Sequence, residues 1–159
     1  MNKKILSLRA EIQADIEAIE QAYQAYHTTQ ADLSTPEQYI VLGYYLQVIY
    51  GLFENLFQRI AQVFENHITD QSRWHAQLLR RMTLDIPGIR PAVISNPTSE
   101  SLDELRGFRH LFRNAYLLHF DPDRLSFVIQ AAEQLEKSYP QDISRFLDFL
   151  DTLNTDKAE

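Results

Sequence analysis

The segment from residue 37 to residue 67 constrains the fold of this chain more than any other part of the sequence. Its apolar side chains cover most of a helical circumference as far as Phe57. Thr35 or Ser34 can cap its start, and Pro36 suits a first helical turn. We therefore predict one long helix at the centre of the fold. A seam between two copies of the chain is a second explanation for part of the apolar excess.

The flanking segments have an apolar stripe at helical spacing. The chain of 159 residues contains only 4 glycines and 6 prolines, which is typical of a helical protein with few turns. We predict an all-α fold, an up-and-down bundle of about five to six helices. The prediction is a single domain over residues 1–159, with a frayed tail over 154–159. The predicted helices are 3–27, 37–67, a third from Asp70 or Ser72 to Pro87, 101–118, 122–138 and a sixth from Pro140.

Capping residues and prolines place the later boundaries. Ser101 to Glu104 reads as a capping box that starts the fourth helix, and Asp121-Pro122 reads as the cap and first turn of the fifth. Pro140 is predicted to start the sixth helix. The proline-rich stretch 86–97 is predicted to be an ordered loop, because it contains four aliphatic residues that need cover: Ile86, Ile89, Val93 and Ile94.

Composition excludes several classes of function. The absence of cysteine excludes disulfides and thiolate chemistry, and no segment predicts secretion. No apolar run is expected to reach the length of a bilayer span, so a cytoplasmic protein without membrane contact is predicted. The net charge of −7 argues against indiscriminate nucleic-acid binding but permits a local basic site.

The sequence contains no phosphate-binding glycine loop, zinc-ligand spacing or serine-nucleophile elbow. The five histidines are scattered, and His67 and His75 lack the helical spacing of a metal pair, so no metal site and no cofactor are predicted. Three acidic residues are interpreted as solvated positions: Glu54, Glu65 and Asp70.

The segment LRGFRHLFRNAY, residues 105–116, concentrates basic and polar side chains on one face of the fourth helix. At about 100° per residue, these side chains share an arc of about 160°, and apolar residues fill the other side. The face consists of Arg106, Arg109, His110, Arg113, Asn114 and Tyr116.

This face has two readings. It can be a solvated surface with some carboxylate pairing, which is the usual role of a charged helix face. It can also be a site for phosphate-ester recognition and cleavage. Arginine binds phosphate in a bidentate manner, and histidine moves protons to or from a ribose hydroxyl, without need of a metal.

The segment FRHLFRNAY, followed by Asp121 and Arg124, resembles the HepT-like proteins of the HEPN superfamily. Those proteins are toxin subunits encoded beside a minimal nucleotidyltransferase antitoxin. The preceding RRM and PGIRPAVIS segments are similar to the same branch, and the resemblance covers residues 36–140. It implies metal-independent endoribonuclease activity on RNA, such as tRNA.

The family motif is an arginine followed, after four to six residues, by a histidine and then a tyrosine two positions later. In the first register Arg109 is the motif arginine, Asn114 stands in the place of the histidine and Tyr116 is the tyrosine. In the second register Arg113 pairs with His119, and the tyrosine is missing. We favour the first register. Asparagine cannot exchange a proton at neutral pH, so His110 or His119 would then supply the acid–base chemistry.

The resemblance also implies a homodimer in which two motifs form one cleft, with RNA phosphates bound by Arg106, Arg109 and Arg113. It implies that the nucleotidyltransferase neutralises the toxin by adding AMP to Tyr116. Two alternatives stay open. The chain can be a catalytically silent HEPN module that binds RNA, nucleotide or the nucleotidyltransferase, as Asn114 suggests, or it can be a helical dimerisation scaffold.

Overall fold

Five α-helices account for most of the residues that the computed structural model describes, which are 2–65, 74–113 and 122–155. These residues contain no strand, only an isolated bridge between Ile86 and Arg90. The all-α helical bundle predicted from the sequence is confirmed. The helices are α1 (Lys3–Gln30), α2 (Pro36–Phe64), α3 (Trp74–Met82), α4 (Asn96–Arg113) and α5 (Pro122–Thr155).

Neighbouring helices run in opposite directions, as their ion pairs and hydrogen bonds show. Arg9 near the start of α1 pairs with Asp151 near the end of α5, whereas His27 near the end of α1 pairs with Glu136. Helices α4 and α5 are related in the same way, because Thr98 bonds Ser138 while Gly107 lies near Arg124. The arrangement brings the start of α2 beside the end of α4.

Helix α2 lies at the centre of the bundle. Its start is the predicted one: Thr35 and Gln38 form a capping box, and Pro36 occupies the first turn. It packs on α1, α3 and α4, and Phe53 meets Tyr139 of α5 edge-on at 5.1 Å between ring centroids. One hydrophobic core collects residues from all five helices.

Helix α2 is also long and apolar enough to cross a membrane by length and composition, which corrects the expectation that no run reaches that length. It is the one such helix in the ranges described above. The central helix of a bundle has the same composition, and half of the α2 window is buried inside the protein.

The start of α4 differs from the prediction. The helix begins at Asn96, so Ser101 is not its cap but a buried residue in its second turn. Asp142 of α5 accepts hydrogen bonds from the Ser95 backbone N–H and hydroxyl and from the Thr98 hydroxyl. A carboxylate distant in sequence therefore stabilises this helix start, and a local search for capping boxes cannot find it.

Pro140 does not start a sixth helix, because α5 continues through it from Pro122 to Thr155. A proline inside a helix costs roughly 3 kcal/mol through a lost hydrogen bond and a steric clash. The apolar stripe of α5 remains in register on both sides of Pro140, with Leu135 and Tyr139 buried before it and Ile143 and Phe146 after it. Tertiary burial of this stripe outweighs the local preference of proline.

Candidate functional site

Glu54 is buried at the centre of the molecule and holds two cationic or ionisable side chains from other helices. Its Oε1 accepts a hydrogen bond from Arg109 Nη1 at 3.3 Å, and its Oε2 lies 2.6 Å from His75 Nδ1. The Glu54 side chain is only 9% exposed, so the interpretation of Glu54 as a solvated residue is wrong. A buried carboxylate needs such partners, because an unpaired one would lose its hydration without compensation.

Tyr50 lies one turn before Glu54 on the same face of α2 and completes this cluster. Its hydroxyl is close enough to Glu54 for the carboxylate to raise its pKa, and the Arg109 guanidinium carbon lies 5.8 Å from the centre of its ring. We call Tyr50, Glu54, His75 and Arg109 the Glu54 centre. Three helices, α2, α3 and α4, contribute to it.

Burial, followed by the neighbouring charge and hydrogen bond of Glu54, raises the pKa of Tyr50 well above its ordinary value. The positive charges of Arg106 and Arg109 oppose this shift without cancelling it. The phenol therefore stays protonated and uncharged at neutral pH.

The two described arginine side chains of the predicted basic face have different surroundings. Arg106 pairs with Asp103 one turn earlier on the same helix, at 2.8 Å, which is the solvated, carboxylate-paired arrangement. Arg109 turns toward α2 and is 24% exposed, held by Glu54 while part of its fork still reaches the surface. The geometry therefore distinguishes Arg109 from Arg106 as a residue positioned by the core.

A close contact between α2 and α4 sets the position of Arg109. A Cβ atom added to Gly43 would lie 2.5 Å from Phe112 Cε2, so the Phe112 ring packs directly on the glycine backbone. Phe112 is one turn from Phe108, with ring centroids 5.8 Å apart, and Phe108 is buried in the core. The absence of a side chain at Gly43 thus permits α4 to approach α2 next to the Glu54 centre.

The remaining predicted site residues fall at or beyond the end of α4. His110 and Arg113 lie in its last turn, and their side chains are outside the described ones. Asn114, Tyr116 and His119 lie outside the described residues, so the choice between the two motif registers stays a prediction.

Sequence reasoning missed Glu54 and His75, although one signal was present. Glu54 is the only charged residue between Glu37 and Arg59, in the middle of the most apolar helix of the chain. A lone carboxylate in such a run is almost never buried without a partner, and the partner usually belongs to a functional or ion-paired site. His75 carries no comparable local signal, because only the packing of α3 on α2 brings it to Glu54.

The centre offers a fixed guanidinium, an imidazole and a buried carboxylate within one cluster. Arginine has five N–H donors, so Arg109 keeps donors for an anion after Nη1 bonds Glu54. Within residues 2–65, 74–113 and 122–155, no group of three or more histidine, cysteine or acidic residues is arranged to hold a metal ion. The chemistry that these side chains support is anion binding combined with proton transfer.

A family model described as a HepT-like protein matches residues 41–150 of the chain. A comparison with curated proteins found no significant match. A comparison with solved structures also found none. The matched range starts in α2 and ends in α5, so it includes every member of the Glu54 centre.

Proposed function

This chain belongs to the HepT-like protein family, and we propose that it is a metal-independent endoribonuclease toxin acting in the cytoplasm. The family is one of HEPN toxin–antitoxin modules, and its members are generally nuclease-type toxins. The proposal rests on the position and the exposure of Arg109. The motif arginine is held by a buried carboxylate and still reaches the surface.

A guanidinium positioned in advance is suited to a phosphodiester. Its free N–H donors can bind two phosphate oxygens at once and stabilise the extra negative charge of a pentacoordinate transition state. Because Glu54 already fixes Arg109, little side-chain entropy is lost when RNA binds. In this proposal Arg113 binds the same phosphate backbone, and Arg106 binds after exchanging Asp103 for a phosphate.

We propose a homodimer for the active form, in which the ends of two α4 helices meet. Pairing two motifs doubles the local positive charge, which compensates for the net charge of −7 on each chain. Apolar side chains near the start of α2 remain exposed beside this end of the bundle, among them Val41 and Tyr44, and suit such a contact.

We further propose that a minimal nucleotidyltransferase inactivates the toxin at Tyr116. In this reaction the Tyr116 oxygen forms a bond to the α-phosphorus of ATP, pyrophosphate leaves, and the phenolic proton passes to solvent. Tyr116 is two residues beyond Asn114 on the predicted face, so the added phosphate would compete with RNA for the arginines.

The alternative function is a silent HEPN module, which the asparagine at position 114 favours. An amide cannot accept and return a proton at neutral pH. Such a module would bind RNA or nucleotide through Arg109 without cleaving it. Asn114→His distinguishes the alternatives, because toxicity that appears only in this variant would support the silent module.

The ribonuclease proposal is tested by expressing the wild type and Arg109→Ala in cells and by incubating both purified proteins with total tRNA in EDTA. We expect growth arrest and cleavage by the wild type, and a loss of at least about 10²-fold in Arg109→Ala, the usual effect of removing one preorganised donor. Arg9→Ala is the matched control, because Arg9 forms an exposed pair with Asp151 far from the Glu54 centre. Intact RNA with the wild type, together with equal growth of all three strains, would refute the proposal.

The modification proposal is tested by intact-mass spectrometry after co-expression with a minimal nucleotidyltransferase. We expect mass increments of whole AMP units that disappear in Tyr116→Phe. Tyr44→Phe is the control, because Tyr44 is an exposed tyrosine at another position. AMP that persists in Tyr116→Phe would show that another residue is the acceptor.

A further inference from the structure

We propose that His75 is the acid–base group of this RNA-cleaving site and that Glu54 is its positioning residue. The inference rests on the proposed ribonuclease function, because it supplies the proton acceptor that Asn114 cannot be. It assigns this role to α3, outside the motif segment of α4.

The first support is the connection between His75 and the motif arginine. One carboxylate, Glu54, bonds His75 Nδ1 with one oxygen and Arg109 Nη1 with the other. The imidazole and the guanidinium are therefore fixed relative to each other by a single buried group. This is the relation needed between a phosphate-binding arginine and a group that accepts a proton next to that phosphate.

The second support is the tautomer that Glu54 selects. A carboxylate only accepts hydrogen bonds, so the proton of neutral His75 lies on Nδ1 and the lone pair on Nε2. Among the described residues, Nε2 has no hydrogen-bond partner. The His75 side chain is 41% exposed, so substrate can reach this nitrogen. Its ring also contacts the Trp74 ring at an interplanar angle of 33°, with centroids 3.9 Å apart, which limits its rotation.

The proposed reaction is cleavage of the RNA phosphodiester by the adjacent ribose 2′-hydroxyl. Nε2 of His75 takes the proton of a ribose 2′-hydroxyl, and the 2′-oxygen forms a bond to the adjacent phosphorus. The bond from phosphorus to the 5′-oxygen of the next nucleotide breaks, and that oxygen takes a proton from water. The products are a 2′,3′-cyclic phosphate and a 5′-hydroxyl end, and the protonated imidazole returns its proton to solvent. Arg109 stabilises the charge on the phosphate oxygens throughout.

The groups around the Glu54–His75 pair are consistent with this role. From α2 they are Glu54 and Tyr50, and from α4 they are Arg109 and, through its charge on Tyr50, Arg106. The carboxylate stabilises the imidazolium that forms, and Arg109 remains paired with the same carboxylate. Tyr50 stays neutral because burial raises its pKa, so it adds no second negative charge.

A second histidine–carboxylate pair in the described ranges provides an internal control. His27 of α1 bonds Glu136 of α5 at 2.8 Å, and both side chains are substantially exposed. Here Nε2 itself is bonded to the carboxylate, and Glu136 bonds no arginine among the residues that the structure describes. The His27–Glu136 pair therefore has the same two side chains but neither an available Nε2 nor a bonded arginine.

The experiment measures single-turnover cleavage of a labelled mixed-sequence RNA oligonucleotide and of total tRNA, with RNA binding followed in parallel by fluorescence anisotropy. The variants are His75→Gln, Glu54→Gln and the control His27→Gln. We expect His75→Gln to bind RNA within about 3-fold of the wild type but to cleave at least about 10²-fold more slowly, the usual contribution of a positioned acid–base group. We expect the cleavage rates of the wild type and of His27→Gln to depend on pH near neutrality. The cleavage rate of His75→Gln should lose this pH dependence.

Chemical rescue separates an acid–base role from a structural one. His75→Ala should regain cleavage when imidazole is added, whereas the double variant His75→Ala/Arg109→Ala should not. A Glu54→Gln protein should show a shifted pH profile rather than a lost one, because it retains the imidazole.

Two negative results can be distinguished. If the wild type and His75→Gln cleave at similar rates with the same pH profile while Arg109→Ala is inactive, the role of His75 is refuted and the ribonuclease function stands. If the wild type neither cleaves nor binds either RNA, the function itself fails, and the inference fails with it.

Discussion

Two buried carboxylates, Glu54 within α2 and Glu65 at the C-cap of α2, have similar partners but different surroundings. Each bonds an arginine and a second basic side chain that belong to other parts of the fold. Sequence analysis interpreted both as solvated, and both interpretations are wrong. The comparison between the two centres shows how the same side-chain chemistry can serve structure at one place and be open to a ligand at another.

The Glu65 centre is closed at Arg90, although its second arginine, Arg81, is 41% exposed. The Arg90 side chain is fully buried and bonds Glu65, while its other N–H groups donate to the carbonyls of Leu84, Pro91 and Arg81. Gly88, with a φ of 78°, turns the loop back so that Ile86 and Arg90 exchange backbone hydrogen bonds. This arginine has no donor left for a ligand, and its role is to hold the predicted ordered loop against α2 and α3.

The Glu54 centre is open. Its arginine is 24% exposed and its histidine 41% exposed. An ion pair that is fully enclosed contributes mainly by avoiding an unpaired buried charge, whereas a half-exposed one leaves donors for other molecules. The difference favours the Glu54 centre, and not the better-bonded Glu65 centre, as the site of the proposed function.

The largest expected effect is the removal of the closed arginine. Arg90→Met leaves Glu65 without one of its cations and four acceptors without their donor, so the free energy of unfolding should fall by about 3–5 kcal/mol. Denaturant unfolding followed by circular dichroism measures this. In the same assay Arg109→Met should lose much less, because Arg109 is itself 24% exposed and gives Glu54 a single hydrogen bond of 3.3 Å. Equal losses would contradict the distinction between closed and open centres.

A medium effect is expected for Glu54→Gln. The amide keeps the size of the side chain but loses the charge-assisted hydrogen bonds to Arg109 and His75, which should lower the free energy of unfolding by about 1–3 kcal/mol. Glu65→Gln is the paired variant and should cost more, because Arg90 is then left buried without its counter-ion. Denaturant unfolding of both variants ranks them, and the reverse order would refute the comparison.

Gly43→Ala should disturb the packing of α4 on α2 next to the Glu54 centre and leave the Glu65 centre unchanged. The new Cβ would collide with Phe112, and overpacking of this kind outweighs the gain in helix propensity, for a net loss of about 1–2 kcal/mol. Gly51→Ala is the matched control on the same helix. Nothing lies within 4 Å of the Cβ added there, so stability should rise by about 0.5–1 kcal/mol. Thermal unfolding of the two variants gives the comparison, and two changes of the same sign would contradict it.

The smallest effect concerns pH. Because the pKa of Tyr50 is raised in the folded protein, the unfolded chain loses this proton first as the pH rises above about 10. The stability that Tyr50 contributes is therefore complete below that pH and is lost above it, by about 1 kcal/mol at pH about 11. Tyr50→Phe should reduce the alkaline slope of the unfolding free energy. An unchanged slope would show that Tyr50 ionises equally in both states.

Local patterns predicted the elements whose stabilisation is local. The capping box of α2 and the apolar periodicity of α1 and α2 depend on neighbours within one or two turns, and the starts of both helices agree with the structure to within one residue. The predicted ends, 27 and 67, differ from the observed ends at Gln30 and Phe64. The start of α4 and the continuity of α5 depend on Asp142 and on the buried stripe around Pro140. These contacts join residues distant in sequence, and local signals alone gave wrong boundaries there.

The amino-acid sequence by itself determined that the chain is all-α, that α2 is its central apolar helix, and that the chain resembles the HepT-like proteins. Only the tertiary structure decided which charges are enclosed and which are accessible. The partners of Glu54, Glu65 and His75 could not be predicted from the sequence, because burial and pairing depend on how α3, α4 and the 83–95 loop pack on α2. The free energy of a charged group is set by the dielectric and the partners around it, and those arise when the helices come together.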